Sequence, residues 1–570
     1  MQRTTILFIF FLTIFFALCA KLFYWQVLKG SELSRQARNQ YESDKTISAS
    51  RGNILSSDGS FLVGRLDAWL MYATPPQIKD SATDIANEIA PILIDDRNDK
   101  QELMDEVLGL QNSLSKKGIS WIALKHKVSN QKKKEIQSLG LSGIGFEQEE
   151  ARVYPEALTA AQLLGFVGKN DEGRDKGYFG LEGYYDLTLT GKPGVTSREK
   201  DAKGLPILLG DNKEITAVKG VDLFTNIDKG IQIIVEKNLK EGISKYGAKG
   251  GVAIVMDPLT GALLAMASFP SYDPAKYYDY TNELFRNPAI SDTFEPGSIF
   301  KVLIMASGLD AKVITPNTTC PICTGPLKVD KYFISTWNDK YFPDSTMTDV
   351  IVHSDNVGMA YVGQQLGPDR LYDYLSKFGI GKPTGVDLQG EVSPKLRERG
   401  TWNIVDLATA SFGQGVAVTP MEMVRAVGAI ANGGKIVTPQ VVGKLLNDGW
   451  NQEIKPKIGE QVVSREAAAE ITAMMVEVAE KGESKWARIP GFKVAAKTGT
   501  AQIPVAGHYD EKKTIASFIA FAPADKPRFV MLVILNQPTT SPWASETAAP
   551  TWYGTAKELF PYLRIQPTGD

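Results

Sequence analysis

One stretch of this 570-residue chain restricts the fold more than any other: Phe294-Glu295-Pro296-Gly297-Ser298-Ile299-Phe300-Lys301, continuing into Val302-Leu303-Ile304-Met305-Ala306. Pro296 and Gly297 interrupt whatever precedes them, Ser298 suits the start of a helix, and the residues beyond are apolar on every side. A helix that is apolar all round belongs in an interior, so the chain must build a core around it. Within it sits a lysine. Residues three apart share a helix face, so the Lys301 amine is expected one turn from the Ser298 hydroxyl. Burying a charged amine is costly; Lys301 should therefore be partly neutral or lie in a cleft beside polar partners, and in either setting it can act as base to the serine.

The Ser-x-x-Lys spacing is common, and the chain repeats it at Ser113/Lys116, Ser129/Lys132 and Ser197/Lys200, all in charged, surface-like stretches. Only the Ser298 copy lies in an apolar helix. Two further motifs follow it: Ser354-Asp355-Asn356, and Lys497-Thr498-Gly499-Thr500 within the strand-like run 492–502. Only folding can bring segments this far apart together. Ser-x-x-Lys, Ser-Asp-Asn and Lys-Thr-Gly in this order are the signature of active-site serine acyl-transferases, the penicillin-binding proteins and class A β-lactamases.

The resemblance covers nearly the whole chain. Arg51-Gly52-Asn53-Ile54 with Asp58-Gly59, Arg152-Val153-Tyr154-Pro155, Gly180-Leu181-Glu182-Gly183, Val255-Met256-Asp257-Pro258 with Thr260-Gly261, and Phe412-Gly413-Gln414-Gly415 with Thr419-Pro420 resemble class B penicillin-binding proteins. Thr293 to Gly297 and Asn432-Gly433-Gly434 resemble the division or sporulation branch. Departures are Ala496 where glycine is common, Ile299 where threonine is common, and Gln162 where histidine is frequent. None removes a catalytic group.

The resemblance implies a serine D,D-transpeptidase that cross-links peptidoglycan stem peptides and is inhibited by β-lactams. Ser298 would be the nucleophile and Lys301 its base; Ser354 would relay a proton to the departing amine, and Asn356 would hold the substrate amide and Lys301. Lys497 would supply positive potential, with Thr498 and Thr500 offering hydroxyls to the substrate carboxylate. Gly499 would leave the strand edge clear for a substrate lying along it. Backbone N–H groups of Ser298 and Thr500 would form the oxyanion hole. Asp355 is assigned no chemistry.

The chain is too long for one core and predicts several domains. Residues 4–20 carry no charge, and after Lys21 the apolar run resumes with Leu22-Phe23-Tyr24-Trp25. A helix through Leu28 would cross about 30 Å of hydrocarbon, Lys21 snorkelling and Tyr24 and Trp25 at the interface. A cleaved signal peptide is the competing reading, since Ala17-Leu18-Cys19-Ala20 offers small residues; the continuing aromatic run favours a retained anchor. The expected divisions are 1–30, transmembrane anchor; 31–225, pedestal or dimerisation-like domain; and 226–570, transpeptidase domain. Lys132-Lys133-Lys134 is expected on a solvated helix face.

Residues 229–246 read as an amphipathic helix, and 251–256 with 262–267 as a hairpin around Asp257-Pro258-Leu259-Thr260-Gly261. Strand-like runs follow at 514–523 and 528–535. Strands at both ends enclosing a helical middle predict an α+β fold, an antiparallel sheet flanked by helices, on an elongated N-terminal pedestal with one N-terminal transmembrane helix.

Formal net charge is −2, from 63 basic and 65 acidic residues, so nothing points to a nucleic-acid partner. His126, His353 and His508 are the only histidines and lack zinc spacing; no metal or cofactor is expected. His353 reads as structural or at the rim of the site. Cys320-Pro321-Ile322-Cys323 could be a redox pair, half a zinc site or a local disulfide. The rival functions are a D,D-carboxypeptidase or β-lactamase, a β-lactam sensor, or a non-catalytic scaffold for a glycan polymerase. By resemblance, the catalytic part lies outside the cytoplasm, and the partner is a membrane glycan polymerase of the shape, elongation, division and sporulation (SEDS) family.

Overall fold

A computed structural model describes residues 3–96, 98–199, 212–505 and 508–567. Contacts divide the chain into two units, residues 1–52 with 190–220, and residues 53–189 with 221–570.

The first unit begins with helix α1, Arg3–Phe23, prolonged by a wider turn over Tyr24–Leu28. Together they form 26 residues long and apolar enough to cross a membrane, with no side chain buried in protein. A second helix, Gly30–Tyr41, follows. The unit is completed by a three-stranded antiparallel sheet of Glu42–Ile47, Gly194–Glu199 and Asn212–Ile215.

In the second unit, the long strand Phe61–Ala73 pairs antiparallel with Ile144–Val153 and with Ile122–Val128. Three helices, Ala82–Leu93, Lys100–Leu114 and Asn130–Ser138, are capped by Ser81, Asp99 and Ser129, whose side chains accept N–H bonds of the first turn. Their apolar faces meet the sheet in a core of Met71, Ile85, Ile89, Leu110, Val128 and Ile136. The lysine run differs from expectation. Lys132 bonds Asp95 and the Leu93 carbonyl, and Lys133 lies over the Trp69 ring, so Lys134 alone is exposed. Two sequence motifs meet nearby: Arg152 and Glu182 form a buried ion pair of 2.6 Å.

Asp228 caps helix α2, Lys229–Tyr246, which ends at Gly247 with φ +60°. Strands β1, Gly250–Met256, and β2, Leu263–Phe269, form the expected hairpin. Asp257 braces its turn by accepting the Leu259 N–H and Thr260 hydroxyl. With β3, Ala495–Val505, β4, His508–Ala522, and β5, Phe529–Asn536, they make one antiparallel sheet in the order β2-β1-β5-β4-β3. Both faces are covered, which is why β1 and β5, inside the sheet, are apolar nearly throughout. Ala253, Val255, Phe518 and Phe529 pack toward α2 and the C-terminal helix Ala548–Tyr562. Val252, Ile254, Met256 and Leu532 share a core with the helical middle of the chain.

That middle holds α3, Lys301–Asp310, buried at every residue but the last. It also holds α4, Met347–Val352, α5, Asn356–Leu366, α6, Pro420–Ala431, and α7, Arg465–Lys481. Thr419 and Pro420, one of the sequence motifs, are the cap and first residue of α6, with Glu422 completing the capping box. The sheet leaves β3 as an edge strand, and α7 packs against β3, α3 and α4.

Candidate active site

The expected helix starts later than the serine. Gly297–Ile299 form a single tight 3₁₀ turn, and Lys301 is the first residue of α3. The turn is held from outside: the Gly297 N–H donates to the Gly413 carbonyl at 3.0 Å, and Phe294 and Val418 exchange backbone hydrogen bonds. Gly413 has φ +80°, and a Cβ there would lie 2.2 Å from the Gly297 carbonyl oxygen. The Phe412-Gly413-Gln414-Gly415 motif is therefore the seat of the serine turn.

The Lys301 side chain is 0% exposed. Its amine donates to the Ser354 carbonyl at 2.6 Å, Asn356 Oδ1 at 2.7 Å and Ser354 Oγ at 3.2 Å. None of its hydrogen bonds goes to the Ser298 hydroxyl, although one-turn spacing predicts one. A carbonyl and an amide oxygen are the better acceptors, and catalytic hydrogen bonds commonly tighten only around substrate. Asn356 is fixed in turn by donating to the Ser335 carbonyl at 2.9 Å. Asp355 caps α5, accepting the Val357 and Gly358 N–H groups.

Ser354 occupies the left-handed region at φ +55°, unusual for a residue with a side chain. The turn lets its carbonyl and hydroxyl both face Lys301. From the other side, the Lys497 amine, 1% exposed, donates to Ser354 Oγ at 3.0 Å and to the Thr498 carbonyl at 3.1 Å. One hydroxyl oxygen thus lies between two buried amines. Desolvation, reinforced by the Lys497 charge, pushes the Lys301 amine well below its ordinary range. Desolvation also brings Lys497 down to about 8, with Glu483 opposing the shift.

Thr498 is buried, and Thr500 Oγ1 accepts the Ala544 N–H at 3.0 Å, which leaves its own O–H free to donate. Gly499 is explained differently from the expected clearance for substrate. A Cβ there would lie 2.6 Å from Ser517 Oγ, 2.8 Å from Ile299 Cγ2 and 3.1 Å from the Pro296 carbonyl oxygen. The glycine lets β3 close on the serine turn.

The geometry therefore brings Lys301, Ser354, Asn356 and Lys497 into direct contact and lays Gly499 against the turn that carries Ser298. Two features had no sequence signal. Glu483 lies in a charged stretch, yet it is half-buried, and the Lys497 and Lys301 charges oppose the rise that burial gives its carboxyl. Trp337, two residues after Ser335, meets Trp543, the neighbour of Ala544, with ring centroids 5.0 Å apart. His353 stacks on Phe342 at 4.1 Å. Cys320 and Cys323 are joined in a disulfide. Among the described residues no cluster of His, Cys, Asp and Glu could hold a metal ion. A cavity of about 420 Å³ includes Val252, Phe294 and Ile515 in its lining but none of the eight predicted site residues.

Comparison with known proteins agrees with this arrangement. Residues 251–558 match the penicillin-binding protein transpeptidase domain, and residues 46–225 the penicillin-binding protein dimerisation domain. Stage V sporulation protein D of Bacillus subtilis is 31% identical over 99% of this chain and 86% of its own. Peptidoglycan D,D-transpeptidase FtsI of Escherichia coli is 28% identical over 97% of this chain and 91% of its own. Among solved structures, penicillin-binding protein 2X of Streptococcus thermophilus superposes with a TM-score of 0.75 at 25% identity, covering 92% of this chain and 81% of that one. A serine turn, a Ser-Asp-Asn turn and a Lys-Thr-Gly edge strand gathered around two buried lysines, in a chain matched by both family domains, place it in one family: the protein is a class B penicillin-binding protein.

Proposed function

We propose that this protein is a membrane-anchored serine D,D-transpeptidase that cross-links peptidoglycan stem peptides and is acylated by β-lactams. The observation that carries the reading is the Ser354 hydroxyl, bonded at once by the Lys301 and Lys497 amines.

Neutral Lys301 takes the Ser298 proton as the serine oxygen attacks the carbonyl between the two D-alanines of a donor stem peptide. The Ser298 and Thr500 N–H groups bind the oxyanion, each worth about 3 kcal/mol in the transition state. The proton passes from Lys301 through Ser354 to the departing amine, the C–N bond breaks, and terminal D-alanine leaves an acyl-enzyme. An amine of a second stem peptide then attacks the ester, forming the cross-link and returning the proton to Ser298. Asn356 holds both Lys301 and the substrate amide. The Lys497 charge and the Thr498 and Thr500 hydroxyls receive the terminal carboxylate.

In this reading residues 1–30 are the anchor, 31–225 the pedestal and 226–570 the transpeptidase domain. The chain crosses the membrane once, with the catalytic part outside the cytoplasm, and works beside a SEDS-family glycan polymerase. Labelling with a fluorescent penicillin, digestion and mapping tests the assignment. The modified residue should be Ser298, labelling should disappear in Ser298→Ala, and the adduct should persist for hours. Rapid turnover would indicate a hydrolase. Ser298→Ala that still supports cross-linking would indicate a scaffold.

A further inference from the structure

Two lysine side chains lie fully buried around one hydroxyl, and the described residues give neither an ion pair in contact. Buried cations without a counter-charge are expensive, and two cannot both stay protonated at such range. The groups facing them are few. From the turn between α4 and α5 come His353, stacked on Phe342, and Asp355, whose carboxylate is already bonded to the Val357 and Gly358 N–H groups. From the end of α7 comes Glu483.

Glu483 follows Gly482, the residue that closes α7. At Gly482 the chain runs against the end of α4; a Cβ there would lie 3.4 Å from the Val352 carbonyl oxygen, one residue before His353 and two before Ser354. α7 packs on α3, α4 and β3, the elements that carry or adjoin the three motifs. Glu483 is half-buried, and its carboxylate has no hydrogen bond or contact ion pair among the described residues. Lys481 on the same helix is exposed and paired with Glu477. Glu483 is therefore the uncommitted acid of the cluster.

We propose that Glu483 is the counter-charge of the lysine pair, a positioning residue that keeps Lys497 an ammonium, without itself touching substrate. The inference rests on the transpeptidase reading, since it assigns Glu483 the task of maintaining the positive charge which that mechanism needs at Lys497. Electrostatics agree in sign on both sides. Burial raises the Glu483 carboxyl while Lys497, Lys301 and His353 lower it, and Glu483 in turn raises both lysines.

The test is the second-order rate of acylation by a fluorescent penicillin, measured on the full-length protein in detergent from about pH 5 to about pH 10. This rate reports the free enzyme, rising as Lys301 loses its proton and falling as Lys497 does. In Glu483→Gln both limbs should move to lower pH, the alkaline limb by about one unit, the scale expected for one charge at this range in a half-buried site. A structural role alone would lower the rate and leave the limbs in place. Should Glu483→Gln fail to fold, Glu483→Asp, which withdraws the charge by one methylene, should shift both limbs the same way by less. Limbs that coincide with wild type in a folded variant overturn the proposal even if the rate falls. Labelling at Ser298 with unmoved limbs removes Glu483 alone; no labelling of the wild type at Ser298 removes the functional reading as well.

Discussion

Gly499→Ala tests whether the edge strand and the serine turn are set against each other by contact. The added Cβ would meet Ser517 Oγ at 2.6 Å, Ile299 Cγ2 at 2.8 Å and the Pro296 carbonyl oxygen at 3.1 Å, where ordinary contacts begin near 3.4 Å. The Ser517 hydroxyl can rotate away at the loss of its bond to the Gly499 carbonyl. Ile299 and Pro296 belong to the turn that carries Ser298 and are pinned through Gly297 to Gly413, so relief comes from β3 moving outward by roughly half an ångström to one. That motion draws Lys497 and the Thr500 N–H away from Ser298. A misplacement on this scale is expected to cost about 10²-fold in the acylation rate, and the overpacking about 1–3 kcal/mol of stability. The assay is stopped-flow acylation by a fluorescent penicillin, with thermal unfolding alongside. Gly499→Ala made with Ser517→Ala should recover part of both losses, because one of the three contacts is gone. A single variant within threefold of the wild-type rate would refute the reasoning.

Asn356→Ala removes an acceptor from the Lys301 amine and a donor from the Ser335 carbonyl, and should lower acylation by about 10- to 100-fold, read from the same rate, with little change in penicillin specificity. Glu182→Gln breaks the buried pair with Arg152 and should cost about 3–5 kcal/mol, measured by the urea midpoint, while a variant that stays folded acylates normally. Lys497 titrates at about 8 in the folded protein and near 10.4 when unfolded, so between these values the unfolded chain holds the extra proton, and the contribution of this residue to stability rises with pH across that window. Lys497→Met, similar in shape but uncharged, should therefore raise Tm at pH 7 by a few degrees while abolishing carboxylate recognition; a lower Tm would contradict the burial argument.

The contrast between what the residues announced and what they concealed follows from where each signal is written. Ser298, Lys301, Ser354, Asn356 and Lys497 could be read because each sits in a short motif whose neighbours also carry the chemistry. The sheet could be read because strands covered on both faces form near-continuous apolar runs, as from Phe529 to Leu535. The helix read over 229–246 begins where Asp228 caps it. What escaped depends on pairs that are remote in sequence. Lys133 looks solvated until Trp69 is folded beneath it, and Gly499 looks like an open edge until Ile299 closes on it. Glu483 belongs with these. Its local sequence, Lys481-Gly482-Glu483-Ser484-Lys485, is that of an exposed helix end, and only the packing of α7 on three other elements turns it inward. Ser298 and Lys301 thus announce themselves within one short segment, whereas the surroundings of the two buried amines are a property of the assembled core, built by groups from α3, the turn between α4 and α5, and β3 together.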